Sequence, residues 1–144
     1  MVVSFVSDIP ESSVAFTVYA SVQRFYEIGE IIIFDGVLTN EGNHYQTHSS
    51  FFICPKEGLY MFTTTICGGL DDEDFEAFLM KEAQSFTTAR AHVDHLDQGI
   101  ASAVMHCEEG ERVWVKVSGT QDIGELYSTE TERVASFAGF LIEF

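Results

Sequence analysis

Three features of the sequence predict an all-β fold, a sandwich or jelly roll. Short runs rich in β-branched and aromatic residues recur at roughly 8–12-residue spacing, with glycine, proline, asparagine and aspartate between them. No stretch sustains an apolar repeat at helical period. The run Phe51–Phe62, FFICPKEGLYMF, joins two aromatic-rich strand patterns through a turn from Pro55 to Gly58. Pro55 fixes its own φ and drives Cys54 toward an extended conformation, and Gly58 relaxes the backbone after it.

Taken in order, residues 1–13 read as a lead-in and residues 14–144 as one compact β domain. Val14–Tyr19 reads as a first strand. Ile28–Phe34 reads as a second, around the apolar core Ile31–Phe34, and stops at the turn signal Asp35-Gly36. Val37-Leu38 leads into a polar turn, Asn40–Asn43, before Tyr45. Leu59–Ile66 is apolar on both parities, with Leu59 and Met61 on one face and Tyr60, Phe62 and Ile66 on the other. A strand apolar on both faces lies inside a sandwich or against another subunit. An acidic loop, Leu70–Asp74, precedes a strand from Phe75 to Met80. Gln84–Val93 alternates loosely. Ile100–Cys107 and Arg112–Val117 read as a pair of strands joined by a hairpin loop. Gln121–Arg133 reads as loop apart from Leu126-Tyr127, and Ala135–Phe144 closes the chain, with Phe137–Phe144 again apolar on both faces.

Composition narrows the function classes. A hydrophobic fraction of 46%, including 13 Phe, supplies one packed core. The formal charge of −16, from 23 acidic and 7 basic residues, argues against nucleic acid and against insertion into or binding of an anionic membrane. No apolar run approaches the ~20 residues of a membrane span. Met1–Val6 lacks the basic and apolar regions of a signal peptide, which leaves a cytosolic chain or a mature form without its signal. Three cysteines, Cys54, Cys67 and Cys107, leave one unpaired under any pairing. No Gly-x-Ser-x-Gly, His-Glu-x-x-His or phosphate-cradling glycine motif occurs, so an enzyme is not expected.

Five separated motifs, in order, resemble the globular C1q domain family, relatives of the tumour necrosis factor jelly rolls. They are Val14-Ala15-Phe16, Asn40-x-Gly42-x-x-Tyr45, Phe52-x-Cys54-Pro55-x-x-Gly58-Leu59-Tyr60-x-Phe62, Gly110-Glu111-Arg112-Val113-Trp114-Val115 and Ser136–Leu141. The family usually has Gly-Asp where this chain has Gly110-Glu111. The resemblance implies a ten-stranded jelly roll that assembles as a homotrimer, with one sheet around the three-fold axis and ligand contacts on loops at one end. Tyr60, Phe62, Phe137 and Phe140 are the interface candidates. Without a Gly-x-y stalk, the chain looks like the stalkless, invertebrate type of C1q domain. That type implies a secreted, lectin-like protein of innate pattern recognition.

The resemblance also supplies site expectations. Several family trimers bind calcium near the axis through an acidic residue just before the strand that here begins at Phe75. Asp74 falls there, with Asp72 beside it, while the family's second acidic position falls near Ala83. A solvated acidic loop is the alternative. In the family topology the strand starting near Gly58 runs antiparallel to the one ending at Cys107, which implies a Cys54–Cys107 disulfide; three buried free thiols are the alternative. His92 and His95 are candidate ligand contacts, and the same pair is a weaker zinc candidate. An anionic ligand would need an arginine, with Arg90 and Arg133 the loop candidates and Arg24 and Arg112 the others. Trp114 reads as packing, not as a sugar platform. The expected function is non-enzymatic recognition of glycans or microbial surfaces, with docking of a protein receptor as the alternative.

Overall fold

The computed structural model describes residues 13–68, 74–92, 97–118 and 123–143. Twelve strands follow one another: β1 (Ala15–Tyr19), β2 (Arg24–Glu27), β3 (Gly36–Glu41), β4 (Tyr45–Gln46), β5 (Phe51–Ile53), β6 (Gly58–Cys67), β7 (Phe75–Lys81), β8 (Gln84–Ala91), β9 (Gln98–Cys107), β10 (Arg112–Ser118), β11 (Ile123–Leu126) and β12 (Ser136–Glu143). Ten of them form two five-stranded sheets, ordered β3-β1-β12-β6-β9 and β4-β5-β10-β7-β8. Every strand pairing is antiparallel. The expected ten-stranded jelly roll is therefore present, with β2 and β11 added as a two-stranded ribbon.

Alternation along β6 explains how the sheets stack. Tyr60, Phe62, Thr64 and Ile66 point inward and are completely buried, while Leu59, Met61, Thr63 and Thr65 face out of the first sheet. Between the sheets, Phe16 stacks on Phe52 with ring centroids 4.8 Å apart and meets Phe137 edge-on at 4.9 Å. Phe62 contacts Phe52 at 5.4 Å and stacks on Tyr60 at 5.9 Å. Gly139 lies on β12 in the middle of this cluster. A Cβ there would overlap the Phe62 ring and stand 2.8 Å from Cε1 of Phe16, so the two rings occupy the space a side chain would need.

Several expectations are corrected. Ile28–Phe34 is not a ladder strand. It runs beside β10 with one isolated bridge, Ile31–Lys116: Gly29 N–H and Ile32 N–H donate to Val117 O and Val115 O, and Val117 N–H donates to Glu30 O. Side chains take over only at its end: Ile33 N–H donates to the Tyr26 hydroxyl, Phe34 N–H to Ser50 Oγ, and the Tyr45 hydroxyl donates to Phe34 O. The apolar run is real, since Ile32 and Phe34 are fully buried; residues 29–32 pair with β10 over too short a stretch to make a ladder, and residues 33–34 turn to side-chain partners. Residues 108–111 are no hairpin loop either. They carry the chain across the sandwich, because β9 pairs with β6 in one sheet and β10 with β5 and β7 in the other. Gly110, at φ +88°, and the Glu111 N–H bonded to Glu108 O make that turn. The polar stretch 121–133 contributes a strand, β11, which pairs with β2.

The trimer candidates are corrected in the same way. Tyr60, Phe62 and Phe137 have no exposed surface and belong to the core; of the four, only Phe140 stands on the outer face.

Candidate functional site

The sequence expectations fall on two regions of the sandwich: the outer face of the first sheet and the end where β1, β6, β8, β10 and β12 meet the loops. On the outer face, register lines up Ala15, Phe140, Met61 and Val104 across β1, β12, β6 and β9. The next outward row is Thr17, Ala138, Thr63 and Ser102, in which Thr63 Oγ1 and Ser102 Oγ share a hydrogen bond of 2.9 Å. Ile100, Val104, Phe140, Ile142 and Leu59 are exposed by 65%, 57%, 49%, 49% and 41% respectively. Large side chains open to that degree along three neighbouring strands form a continuous apolar surface with a small polar belt through it.

At the loop end, Arg90 and His92 face carboxylates, while Arg133 is held by a ring and a backbone carbonyl. Arg90 donates to Glu76 Oε2 from Nε at 2.8 Å and Nη2 at 2.5 Å, and Ser118 Oγ donates to the other oxygen. His92 Nδ1 lies 3.5 Å from Asp74 Oδ2, and its backbone N–H donates to Asp97. Arg133 lies over the Tyr19 ring at 4.6 Å and donates to Glu130 O, while the Tyr19 hydroxyl donates to Glu130 Oε1 at 2.6 Å. Arg90 and His92 therefore lie on the β7–β8 side and Arg133 beside the end of β1. His95 and Asp72 lie outside the described residues, as does the rest of the acidic loop before Asp74.

No cluster of three or more carboxylate, histidine or cysteine groups able to hold a metal occurs among the described residues. Asp74 brings one carboxylate to a calcium ion that takes six to eight oxygens, so the described residues do not by themselves make the site.

The other predicted pair comes together. Cys107 sits opposite Gly58 in the β6–β9 register, and the Cys54 backbone binds the 108–111 turn on both sides, its N–H to Glu111 O and its O from Gly110 N–H. The two side chains hydrogen-bond to each other. All three cysteines are buried free thiols, so the Cys54–Cys107 bond itself is not formed. The hydrogen bond to Cys107, reinforced by burial, pushes the Cys54 thiol far up and keeps it protonated.

Sequence reasoning missed Glu125, Gln23 and Glu130. Glu125 is almost wholly buried in β11 and receives a hydrogen bond from the Gln23 side chain. Nothing in the local pattern distinguishes one glutamate among 23 acidic residues; the β2–β11 pairing does.

The sandwich, its sheet orders and its apolar outer face define a C1q/TNF-like jelly-roll domain. The chain belongs to the C1q domain family, matching it over residues 15–142. It is 32% identical to human complement C1q and tumor necrosis factor-related protein 9B over 130 residues, covering 89% of this chain and 38% of that protein. It is 31% identical to the mouse collagen alpha-1(X) chain over 135 residues, covering 89% of this chain and 18% of the collagen chain. The chain thus spans well under half the length of these relatives. Among solved structures, the globular domain of zebrafish complement 1qA superposes with a TM-score of 0.68 at 17% identity, covering 89% of this chain and 96% of that one. Murine APRIL superposes with a TM-score of 0.69 at 9% identity, covering 91% and 100%.

Proposed function

We propose that the chain is a non-enzymatic, extracellular recognition head that works as a homotrimer and displays its loop ends to glycans or microbial surface ligands. The observation that carries this reading is the outer face of the first sheet, where five large apolar side chains are 41–65% exposed. Burying that face against two further copies removes it from water and points three identical loop ends in one direction. Weak single contacts then add through avidity, by a factor of about 10²–10⁴.

The ion pairs at the loop end shape the ligand. Arg90 is engaged by Glu76, and the whole chain carries −16, so a highly anionic glycan meets repulsion before it meets a cation. A neutral or weakly charged glycan fits this end better. Calcium at Asp74 belongs to the same reading as an axis ligand shared by three copies, each bringing its own carboxylate.

The net charge also favours a second reading, the docking of a basic protein receptor in the grooves between subunits. One experiment separates them. The trimer and a Phe140→Glu monomer are applied to a glycan array, to bacterial cells and to an immobilised basic receptor ectodomain. Retention on glycans or cells by the trimer, with about a hundredfold loss in the monomer, supports the first reading. A blank array with capture by the ectodomain supports the second, and no retention on any surface removes both.

A further inference from the structure

The outer face of the second sheet carries aromatic side chains on three adjacent strands. Phe51 on β5 meets Trp114 on β10 with ring centroids 5.3 Å apart. Across the next register, Trp114 lies opposite Met80 and Lys116 opposite Phe78 on β7. Phe51, Phe78 and Trp114 are each half-buried, so their outward parts meet solvent. Two cations lie over this floor. The Arg112 guanidinium is 5.4 Å from the Phe51 ring and 6.0 Å from the Trp114 ring, and Lys116 Nζ is 6.0 Å from the Phe78 ring.

The two cations differ in their partners. Arg112 donates to both oxygens of Glu82, Nη2 to Oε1 at 2.9 Å and Nε to Oε2 at 3.1 Å, and is neutralised. Lys116 has no carboxylate within ion-pair distance among the described residues, in a chain with more than three acidic residues for every basic one. An ammonium left without a carboxylate beside aromatic rings marks a place where a ligand can supply one.

We propose that this face binds a saccharide residue bearing one carboxylate, its ring resting on Trp114 and Phe51 and its carboxylate on Lys116. The apolar C–H face of a pyranose suits an indole and phenyl floor, and its hydroxyl edge suits the Arg112–Glu82 pair, whose guanidinium lies over part of that floor. A single point cation matches a single carboxylate, and the −16 chain disfavours polysulfated or polyphosphorylated chains. This face is on the opposite side of the sandwich from the apolar face of the first sheet. A trimer built through the first sheet leaves it pointing outward in three copies. The site is independent of the loop-end reading, and its failure would leave that reading standing.

Trp114 is the single tryptophan of the chain, so its fluorescence reports on the face directly. The full chain is titrated with methyl β-glucuronide, with its neutral twin methyl β-glucoside, with glucose 6-sulfate and with N-acetyl-glutamate amide. A saturable fluorescence change is expected with the glucuronide, about tenfold weaker with the glucoside. Lys116→Gln should bring the glucuronide down to the level of the glucoside while the unfolding midpoint stays in place. Phe51→Ala should weaken both sugars about tenfold, and Arg133→Ala, at the other site, should change neither. The proposal is overturned by no saturable change, by equal affinity in Lys116→Gln, or by a response to the sulfate or the glutamate amide that matches or exceeds that to the glucuronide.

Discussion

Replacing Phe140 with Glu tests whether the apolar face of the first sheet drives assembly. Phe140 is 49% exposed on β12, beside Met61 and Ala15 in register. A phenylalanine side chain that becomes fully buried removes about 150–250 Å² from water, so about half of that, roughly 75–125 Å², remains to be covered. At about 25 cal/mol per Å² this is about 2–3 kcal/mol per copy, or about 6–9 kcal/mol for a trimer. The monomer–trimer midpoint concentration varies as the square root of the dissociation constant, so Phe140→Glu should raise it by about two to three orders of magnitude. Desolvation of the new carboxylate adds to that shift. The assay is light scattering over a dilution series. Phe25→Glu is the control, because Phe25 is 62% exposed but sits on the β2–β11 ribbon, off the face. Two results refute the reasoning: a wild-type protein that is monomeric throughout, or a Phe140→Glu protein that keeps the wild-type midpoint.

Gly139→Ala should lower stability by about 2–3 kcal/mol through overpacking against Phe62 and Phe16, read as a fall of roughly 6–10 °C in Tm at matched protein concentration. Gly110→Ala, where a Cβ meets nothing within 4 Å but φ is +88°, should cost only about 1 kcal/mol. The hydrogen bonds from Arg112 hold the Glu82 carboxyl below its ordinary range, so the stability it contributes is present above the ordinary glutamate pKa and is lost as pH falls through the depressed one. Glu82→Gln should therefore be about 0.5–1 kcal/mol less stable than wild type near neutral pH, with the gap closing below about pH 4 in urea titrations. Exchange with oxidised glutathione should join Cys54 and Cys107 and release two reduced glutathione molecules. The bond closes a loop of about 54 residues and should add about 4 kcal/mol by chain entropy. Peptide mapping that finds both thiols unmodified after prolonged exchange in mild denaturant would exclude the pair.

Most of the fold was legible because one-dimensional alternation maps directly onto a two-sided sheet. The split of β6 into Leu59 and Met61 against Tyr60, Phe62 and Ile66 is the inside–outside split observed. What the alternation leaves open is which apolar side faces the core: Tyr60, Phe62 and Phe137 read equally well as interface or interior, and only the pairing of two sheets decides. Ile31–Phe34 misled for a related reason. Its burial is written in its own residues, but its hydrogen bonds are divided between the β10 backbone and the side chains of Tyr26, Tyr45 and Ser50, scattered over the chain. The site was less legible still. An arginine looks the same in sequence whether a glutamate from the next strand neutralises it, as Glu76 does Arg90, or whether none does. Trp114 reads as strand packing until the neighbouring strands bring Phe51 and Phe78 alongside.

Charge sets a condition on assembly that the apolar face alone does not. Three chains at −16 bring 3 × 16 = 48 negative charges into one particle. Much of this repulsion acts across solvent, where screening falls off over about 8 Å at physiological salt and over about 30 Å at 0.01 M. An interface made of apolar side chains gains nothing from low salt and suffers the repulsion in full. The trimer should therefore tighten as sodium chloride rises from about 0.01 to 0.15 M, with the light-scattering midpoint moving to lower concentration. An interface held by ion pairs would move the other way, and that result would overturn the apolar account. Calcium enters on the same axis. If it acts only by screening, calcium and sodium chloride at equal ionic strength give similar midpoints. If Asp74 carboxylates from three copies share an ion, calcium tightens the trimer beyond that, and Asp74→Asn abolishes the excess while leaving the sodium chloride dependence in place.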